Sequence, residues 1–348
     1  MKGNHNKAKV PESNACIEMV LNIPDKIAGM ICGLAIGDAS GAPYEFMRNQ
    51  KKIDFTGEIE KDTVINTMWS GKKTIPSGTI TDDTEMSLVL IRSIIKNKGY
   101  NRNDIILGYE EWAKSTWALG KHTRSLFKGI KTVKGYEKRY DKIFSNSDAR
   151  ENMQSNGSLM RCSPLVVLTY EDWMEDTDLT NPSSVNNDCT NVYLCTIRDI
   201  LLGISDEKTI FSNALKKVNT PEVKGIFKKI QKNIEVDVVD KKGWVLHPIY
   251  LLYRDIYAGK LSKFTLTELI TDIVLLGGDT DTNAAICGAV YGVYKGISEL
   301  DKVALNNMSK IFNVKNSRPS IYRIDGMEEL MEFSEKLTEL FMENNSKD

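Results

Sequence analysis

The chain has 348 residues, 41% hydrophobic and 27% charged, which is enough apolar material for one large core and far from the composition of a disordered chain. Forty-six basic residues stand against 47 acidic ones, so no overall positive charge is available to hold a nucleic acid. Six scattered cysteines without a C-x-x-C pair and three dispersed histidines (His5, His122, His247) argue against a disulfide scaffold and an imidazole-rich zinc centre, and the polar start without a membrane-length apolar run predicts a soluble, cytoplasmic protein.

Residues 1–22 are polar and predict a disordered lead to a single domain over 23–345. Ile23-Pro24-Asp25 offers a helix start, and IAGMICGLAIGDASG (27–41) reads as a buried helix whose glycines and alanines let neighbouring backbones approach. The stretch 48–78 has few periodic apolar positions and reads as a loop with short strands. In TITDDTEMSLVLIRSIIKNKG (79–99), Asp82 and Glu85 stand three apart ahead of an apolar run, the pattern of a capping box opening a helix that ends at Gly99. Helices are predicted over 103–118, 123–131 and 159–170, with 136–154 a charged connection too poor in apolar residues for the core. Apolar periodicity gives further helices at 187–202, 208–218, 221–232, 248–258 and 266–276, and a final amphipathic helix at 327–344. Strand signals are few and no repeat or linker divides the chain, so the fold class is all-α in one compact domain.

Two acidic segments carry the chemistry. LLGGDTDTNAAICGAVYGVYKG (275–296) sets Asp279-Thr280-Asp281-Thr282 behind Gly277 and Gly278, at the entrance of a helix lined by small residues. Capping explains one acid at such a place, but two acids with two hydroxyls exceed what a cap needs, and buried adjacent carboxylates require cations to stay ionised. The same holds for Thr81-Asp82-Asp83-Thr84. Oxygen donors alone select a hard ion, Mg²⁺ or Mn²⁺, and two ions about 3.5–4 Å apart would orient a substrate and activate water. Elsewhere the residues leave alternatives open: Glu45 is a loop acid, solvated or functional; Asn156-Gly157 is a tight turn whose amides suit a pyrophosphate; Trp244 is a core or stacking residue; and His122 is better read as a solvated histidine at a helix start than as part of a substrate rim.

GLAIGDASGAPYEF, TDDTEM, NGSLMRCSPL and GGDTDTNAAICGAVYGVYKG occur in the order and approximate spacing of the ADP-ribosylglycohydrolase family, which the chain resembles from about residue 24 to 300. The resemblance implies an orthogonal helix bundle with two Mg²⁺ ions in a central cleft, acting as a monomer to remove ADP-ribose from a modified protein or other acceptor. It assigns metal ligation to Thr81, Asp82, Asp83, Asp279, Asp281 and Thr282. It further implies catalytic roles for Glu45 and Asp281, substrate contacts for Asp38, Asn156, Gly157, Ser158 and Trp244, and structural roles for Met160 and Arg161. Glycosidic cleavage at the ribose anomeric carbon, through an oxocarbenium-like transition state, is the reaction expected. An ADP-ribose-binding protein with little turnover, or a metal phosphoesterase, is the competing expectation. One departure stands out: relatives often carry a Thr-His pair after the phosphate loop where this chain has Thr180-Asn181-Pro182, so acceptor preference is expected to differ there.

Overall fold

In the computed structural model, which describes residues 14–45, 47, 53–60, 62–67, 71–116, 118–314 and 318–345, the small-residue run becomes the inner half of a 28-residue helix, α1 (Asn14–Gly41). Pro24 lies inside α1 rather than at its start; residues 14–22 of the expected lead continue the helix, and 1–13 lie outside the described residues. The excursion that follows contains one antiparallel hairpin, β1 (Thr63–Thr67) with β2 (Gly71–Ile75). Helices α2 (Asp82–Asn97), α3 (Arg102–Ser115) and α4 (Lys121–Phe127) then stand close to their predicted positions.

The stretch read as a charged connection is instead helical, as α5 (Val133–Ile143) and α6 (Ser147–Glu151). Tyr136 explains the difference: one fully buried aromatic, stacked on Phe127 with its hydroxyl donating to the Leu179 carbonyl, anchors a helix whose other faces are polar. The helix predicted over 159–170 is likewise absent. Two 3₁₀ turns, Leu159–Arg161 and Ser163–Val167, take its place, because Pro164 supplies no amide to an α-helical ladder. A capping box of Thr169 and Asp172 then opens α7 (Tyr170–Thr180), which the sequence pattern did not reveal.

The remaining helices are α8 (Ser184–Leu201), α9 (Glu207–Lys217), α10 (Pro221–Gln231), α11 (Leu246–Tyr257), α12 (Leu266–Leu276), α13 (Thr280–Lys295), α14 (Lys302–Asn313) and α15 (Met327–Asn345); only α14 was unanticipated. The all-α expectation holds, and among the described residues no helix is long and apolar enough to cross a membrane.

At the centre, α1 and α13 run antiparallel in direct backbone contact. Gly29 faces Gly292 and Gly296, Gly33 faces Gly288, Gly37 faces Ala284, and Gly41 faces Thr280 and Asp281. The four-residue spacing places these small residues in one stripe, and a methyl at any of the four α1 glycines would overlap backbone atoms of α13. Helix α12 packs on α13, and α15 packs on α1. Helix α2 enters the same core with Met86, Leu88, Leu90, Ile91 and Ile94 fully buried, and it stops where Lys98 turns left-handed and the amides of Lys98 and Gly99 close on the Ile94 carbonyl.

The seam gives an opposed pair of expectations in urea titrations. Gly33→Ala should destabilise the fold by about 3 kcal/mol through backbone overlap. Gly225→Ala in α10, where the added methyl meets open space, should stabilise it by about 0.5–1 kcal/mol.

Candidate active site

Both acidic segments sit at helix N-termini, and neither acts as a cap. Thr81 and Asp279 occupy the N-cap positions of α2 and α13, and neither side chain makes a capping hydrogen bond. At α2 that task falls to Asp38 on α1. Its carboxylate accepts from the Thr81 amide at 2.9 Å and the Thr84 amide at 3.1 Å, and from the Thr81 and Thr84 hydroxyls at 2.7 and 2.6 Å. The Asp82–Glu85 capping box therefore does not form: a cap supplied by another helix leaves Asp82 and Asp83 available, and Glu85 turns to Arg318. Asp38 itself has no exposed surface, and its four contacts fix the Thr81–Thr84 turn.

The second segment is held by the same seam. Gly277 and Gly278 adopt φ of 77° and 85°, a reversal open to glycine, and the Thr280 hydroxyl donates to the Gly41 carbonyl at 2.7 Å. Thr280 thus faces α1, while Asp279, Asp281 and Thr282 turn to the other side. Asp281 accepts from the Thr282 amide at 2.9 Å, the Thr282 side chain lies beside Asp83, and Asp279 lies beside Asp281. The two acidic segments, far apart in sequence, are brought together where Thr282 and Asp281 come near Asp83. Glu45, exposed just beyond the 3₁₀ turn Ala42–Tyr44, closes the group: an oxygen of each of Glu45, Asp279 and Asp281 lies within 4.8 Å of the others.

This set fits a hard cation. Every donor is oxygen, and Asp83 Oδ1 is buried with no hydrogen-bond partner, the orphaned atom that an ion would satisfy. Loss of water contact is the first cause that pushes the carboxyls up. Asp82, Asp83 and Asp281 stand well above the usual carboxylate range, Asp279 and Asp38 are raised too, and mutual repulsion adds to burial for Asp82, Asp83 and Asp281. Although the Glu45 side chain as a whole is exposed, the protein packed around its carboxyl, then Asp279 and Asp38, push it up to about 8, with Lys242 opposing.

The loop at 155–158 forms the adjoining wall. Asn156 donates to Asp279 Oδ2 at 2.7 Å, and its amide donates to the Gly243 carbonyl at 2.9 Å, so the loop is tied to the acids. Arg161, fully buried and paired with Asp176, donates to the Gly157 carbonyl at 2.7 Å, as its structural role requires; Met160 is buried beside it. Ser158 is turned inward, its hydroxyl accepting from Asn186 at 3.1 Å, so only its backbone is left for a ligand. Asn181 braces the same loop by donating to the Ser155 carbonyl and hydroxyl at 3.0 and 2.8 Å, and its own Oδ1 is buried without a partner near Gly157. Trp244 is half-buried, donates to Gln154 and carries the Lys241 ammonium 4.7 Å above its ring, so one face is covered.

His122 is not a solvated histidine. It is half-buried, bonded to the Thr180 carbonyl at 2.5 Å and set edge-on to Phe144, and burial lowers its pKa. Phe144 follows α5, the helix that the sequence pattern concealed. Lys242, the cation acting on Glu45 and Asp279, and Asn186 were also missed; each is a lone polar residue with no motif around it. A cavity of about 360 Å³, lined by Ser40, Tyr44, Phe55 and Ile59 among others, opens beside the Glu45 segment, and none of the six candidate ligands lines it.

With this geometry in place, comparison with known proteins is specific. The profile of a family described as ADP-ribosylglycohydrolase matches residues 19–346. An ADP-ribosyl-[dinitrogen reductase] glycohydrolase of Rhodospirillum rubrum is 26% identical over 80% of this chain and 88% of its own length. An ADP-ribosylarginine hydrolase, Tri1, of Pseudomonas putida is 21% identical over 82% of this chain and 75% of its own. Among solved structures, an "ADP-ribosylglycohydrolase-related protein complex" shares the fold with a TM-score of 0.63 at 20% identity, covering 92% of this chain and 100% of that one.

Crowded acids make a signed prediction. Carboxyls raised in the folded state bind more protons folded than unfolded, so metal-free stability should fall as pH rises from about 4.5 to about 8, the ordinary and raised values of Glu45. Thermal unfolding in chelator should show that fall, and added Mg²⁺ should raise the melting temperature more at pH 8 than at pH 5, because protons compete for the same oxygens.

Proposed function

The chain belongs to the ADP-ribosylglycohydrolase family, and from that premise we propose that it releases ADP-ribose from a modified acceptor by hydrolysing the glycosidic bond at the ribose anomeric carbon, in a Mg²⁺-dependent reaction. The observation that carries this reading is the convergence of two oxygen-only acidic segments, with Asp83 near Asp281 and Thr282 and with Glu45 at their open edge.

Thr81, Asp82, Asp83, Asp279, Asp281 and Thr282 are the residues that would hold two ions, with Mn²⁺ able to replace Mg²⁺. Bound there, the ions supply Lewis acidity toward the vicinal ribose hydroxyls and lower the pKa of water. The protein does the rest. Glu45, at the open edge of the acids, takes the proton of the attacking water and returns one to the departing acceptor atom. The 155–158 loop, fixed by Arg161, Asn181 and Asn186, receives the diphosphate on backbone groups of Gly157 and Ser158. Asn156 spans the two halves, since it both belongs to that loop and bonds Asp279. Trp244 borders the adenosine end with its uncovered face. Asp38 holds the α2 turn at the correct height throughout.

The relatives named for dinitrogen reductase and for arginine support a protein acceptor, and an ADP-ribosylated arginine is the first substrate to try. Asn181, which cannot titrate near neutrality, keeps the brace on the loop independent of pH over the range where a histidine would change charge. The free thiols of Cys32, Cys162, Cys189, Cys195 and Cys287 accord with action in the reducing cytoplasm, and a chain that contains both acidic segments accords with action as a monomer.

The deciding experiment is a panel of ADP-ribosylated arginine, serine, O-acetyl ester and nucleic-acid base substrates, each with Mg²⁺ and with chelator. Free ADP-ribose is the expected product; AMP or phosphate would make the chain a phosphoesterase, and binding without release would leave it a binding protein. Asp281→Ala should abolish release together with its Mg²⁺ dependence. Glu45→Gln should lower kcat by about 10²–10⁴-fold with little change in KM.

A further inference from the structure

Helix α2 is gripped from behind by the segment that leads into α15. Arg318 reaches Glu85, one turn beyond Asp82, through two parallel bonds: Nε to Oε1 at 2.6 Å and Nη2 to Oε2 at 2.7 Å. Both side chains are almost completely buried, and the pair is locked on each side. Trp112 Nε1 of α3 donates to Glu85 Oε2 at 2.7 Å, and the Arg318 guanidinium lies 5.0 Å over the Tyr322 ring. Further along α2 a second arginine points the opposite way: Arg92 donates to the carbonyls of Ile321 and Arg323 and to Glu329, and stacks on Phe333. Two arginines, one from each partner, thus tie α2 to residues 318–333.

A buried ion pair is a weak source of stability, because desolvation consumes most of the attraction. What a bidentate fork does provide is orientation, since it fixes both the distance and the rotation of the helix that carries the carboxylate. Asp38 grips only the first turn of α2, and the fork on Glu85 is a further polar hold on the rotation that aims Asp82 and Asp83 at Asp279, Asp281 and Thr282.

We propose that Arg318 is a positioning residue for the candidate metal site: its two-point hold on Glu85 sets the rotation of α2 and so aligns the Thr81–Asp83 donors with those of α13. The proposal rests on the metal reading above. Its effect on a bound ion is indirect, as with groups that orient ligands elsewhere, where their loss weakens metal affinity by about 10–100-fold.

The test is calorimetric titration of Mg²⁺ and Mn²⁺ into the full chain and its variants, with thermal unfolding in chelator as a separate measure of stability. Arg318→Lys keeps the charge and loses the fork, so its ion Kd should rise by about tenfold or more. An affinity equal to the parent's would overturn the proposal, whatever the melting temperature does. The double variant Glu85→Gln with Arg318→Met removes both charges and should also bind weakly; recovery of parent affinity there would mean that Arg318 merely neutralises Glu85, and the proposal fails. If the double variant does not fold, Arg318→Lys still decides. A parent that binds neither ion defeats the metal reading and this inference together, whereas a parent that binds and an Arg318→Lys that matches it defeats the inference alone.

Discussion

The structure depends first on the antiparallel contact of α1 with α13, in which backbones meet without side chains between them. Only glycine and alanine permit that approach, and the register it sets has a chemical consequence. With Gly33 against Gly288 and Gly41 against Asp281, the C-terminal end of one helix is laid beside the N-terminal end of the other. Asp38 then meets the amides of Thr81 and Thr84, and the Gly41 carbonyl receives the Thr280 hydroxyl. Both acidic turns are hung from the last turn of α1, so a slip of one residue along the seam would move them together away from Glu45.

Against that rigid seam stands a concentration of like charge that the fold does not neutralise from within. Burial pushes Asp82, Asp83, Asp279 and Asp281 above the ordinary carboxylate range, neighbouring acids add to it for Asp82, Asp83 and Asp281, and the described residues supply Lys242 as an opposing cation at the edge. Such an arrangement is unfavourable for an isolated chain and becomes favourable when cations occupy it. The supporting polar groups share one purpose. Arg161 with Asp176, Arg318 with Glu85, and Asn181 with Ser155 each bury hydrogen-bonding capacity at little net gain in stability, and each fixes a segment that borders the acids. Orientation, paid for by the apolar core around it, is what these contacts supply.

The region from 133 to 180 shows where apolar periodicity misleads. Helix α5 buries Tyr136 alone, too weak a pattern against six charged neighbours to read as a helix, yet stacking on Phe127 and a hydrogen bond to Leu179 suffice to seat it. The opposite error arises after Leu159, where a run of apolar residues resembles a helix and is broken by Pro164 into two 3₁₀ turns. The consequence reaches the site, because those turns hold Arg161 and the 155–158 loop, and the end of α5 supplies the ring that covers His122.

The sequence by itself determined the all-α class, the positions of most helices, and the two acidic segments with their hydroxyl neighbours, because these are local properties: periodicity within a helix, and donor atoms within four residues. It also marked the small residues of α1 and α13 as sites of close approach. Only the tertiary structure decided that these two helices pair with each other, that Asp38 caps α2 from outside, that Ser158 faces inward, and that Asn186, Lys242 and Arg318 bear on the site. Each of those depends on which residues distant in the chain become neighbours, and a lone lysine, asparagine or arginine carries no local pattern that reports its partner.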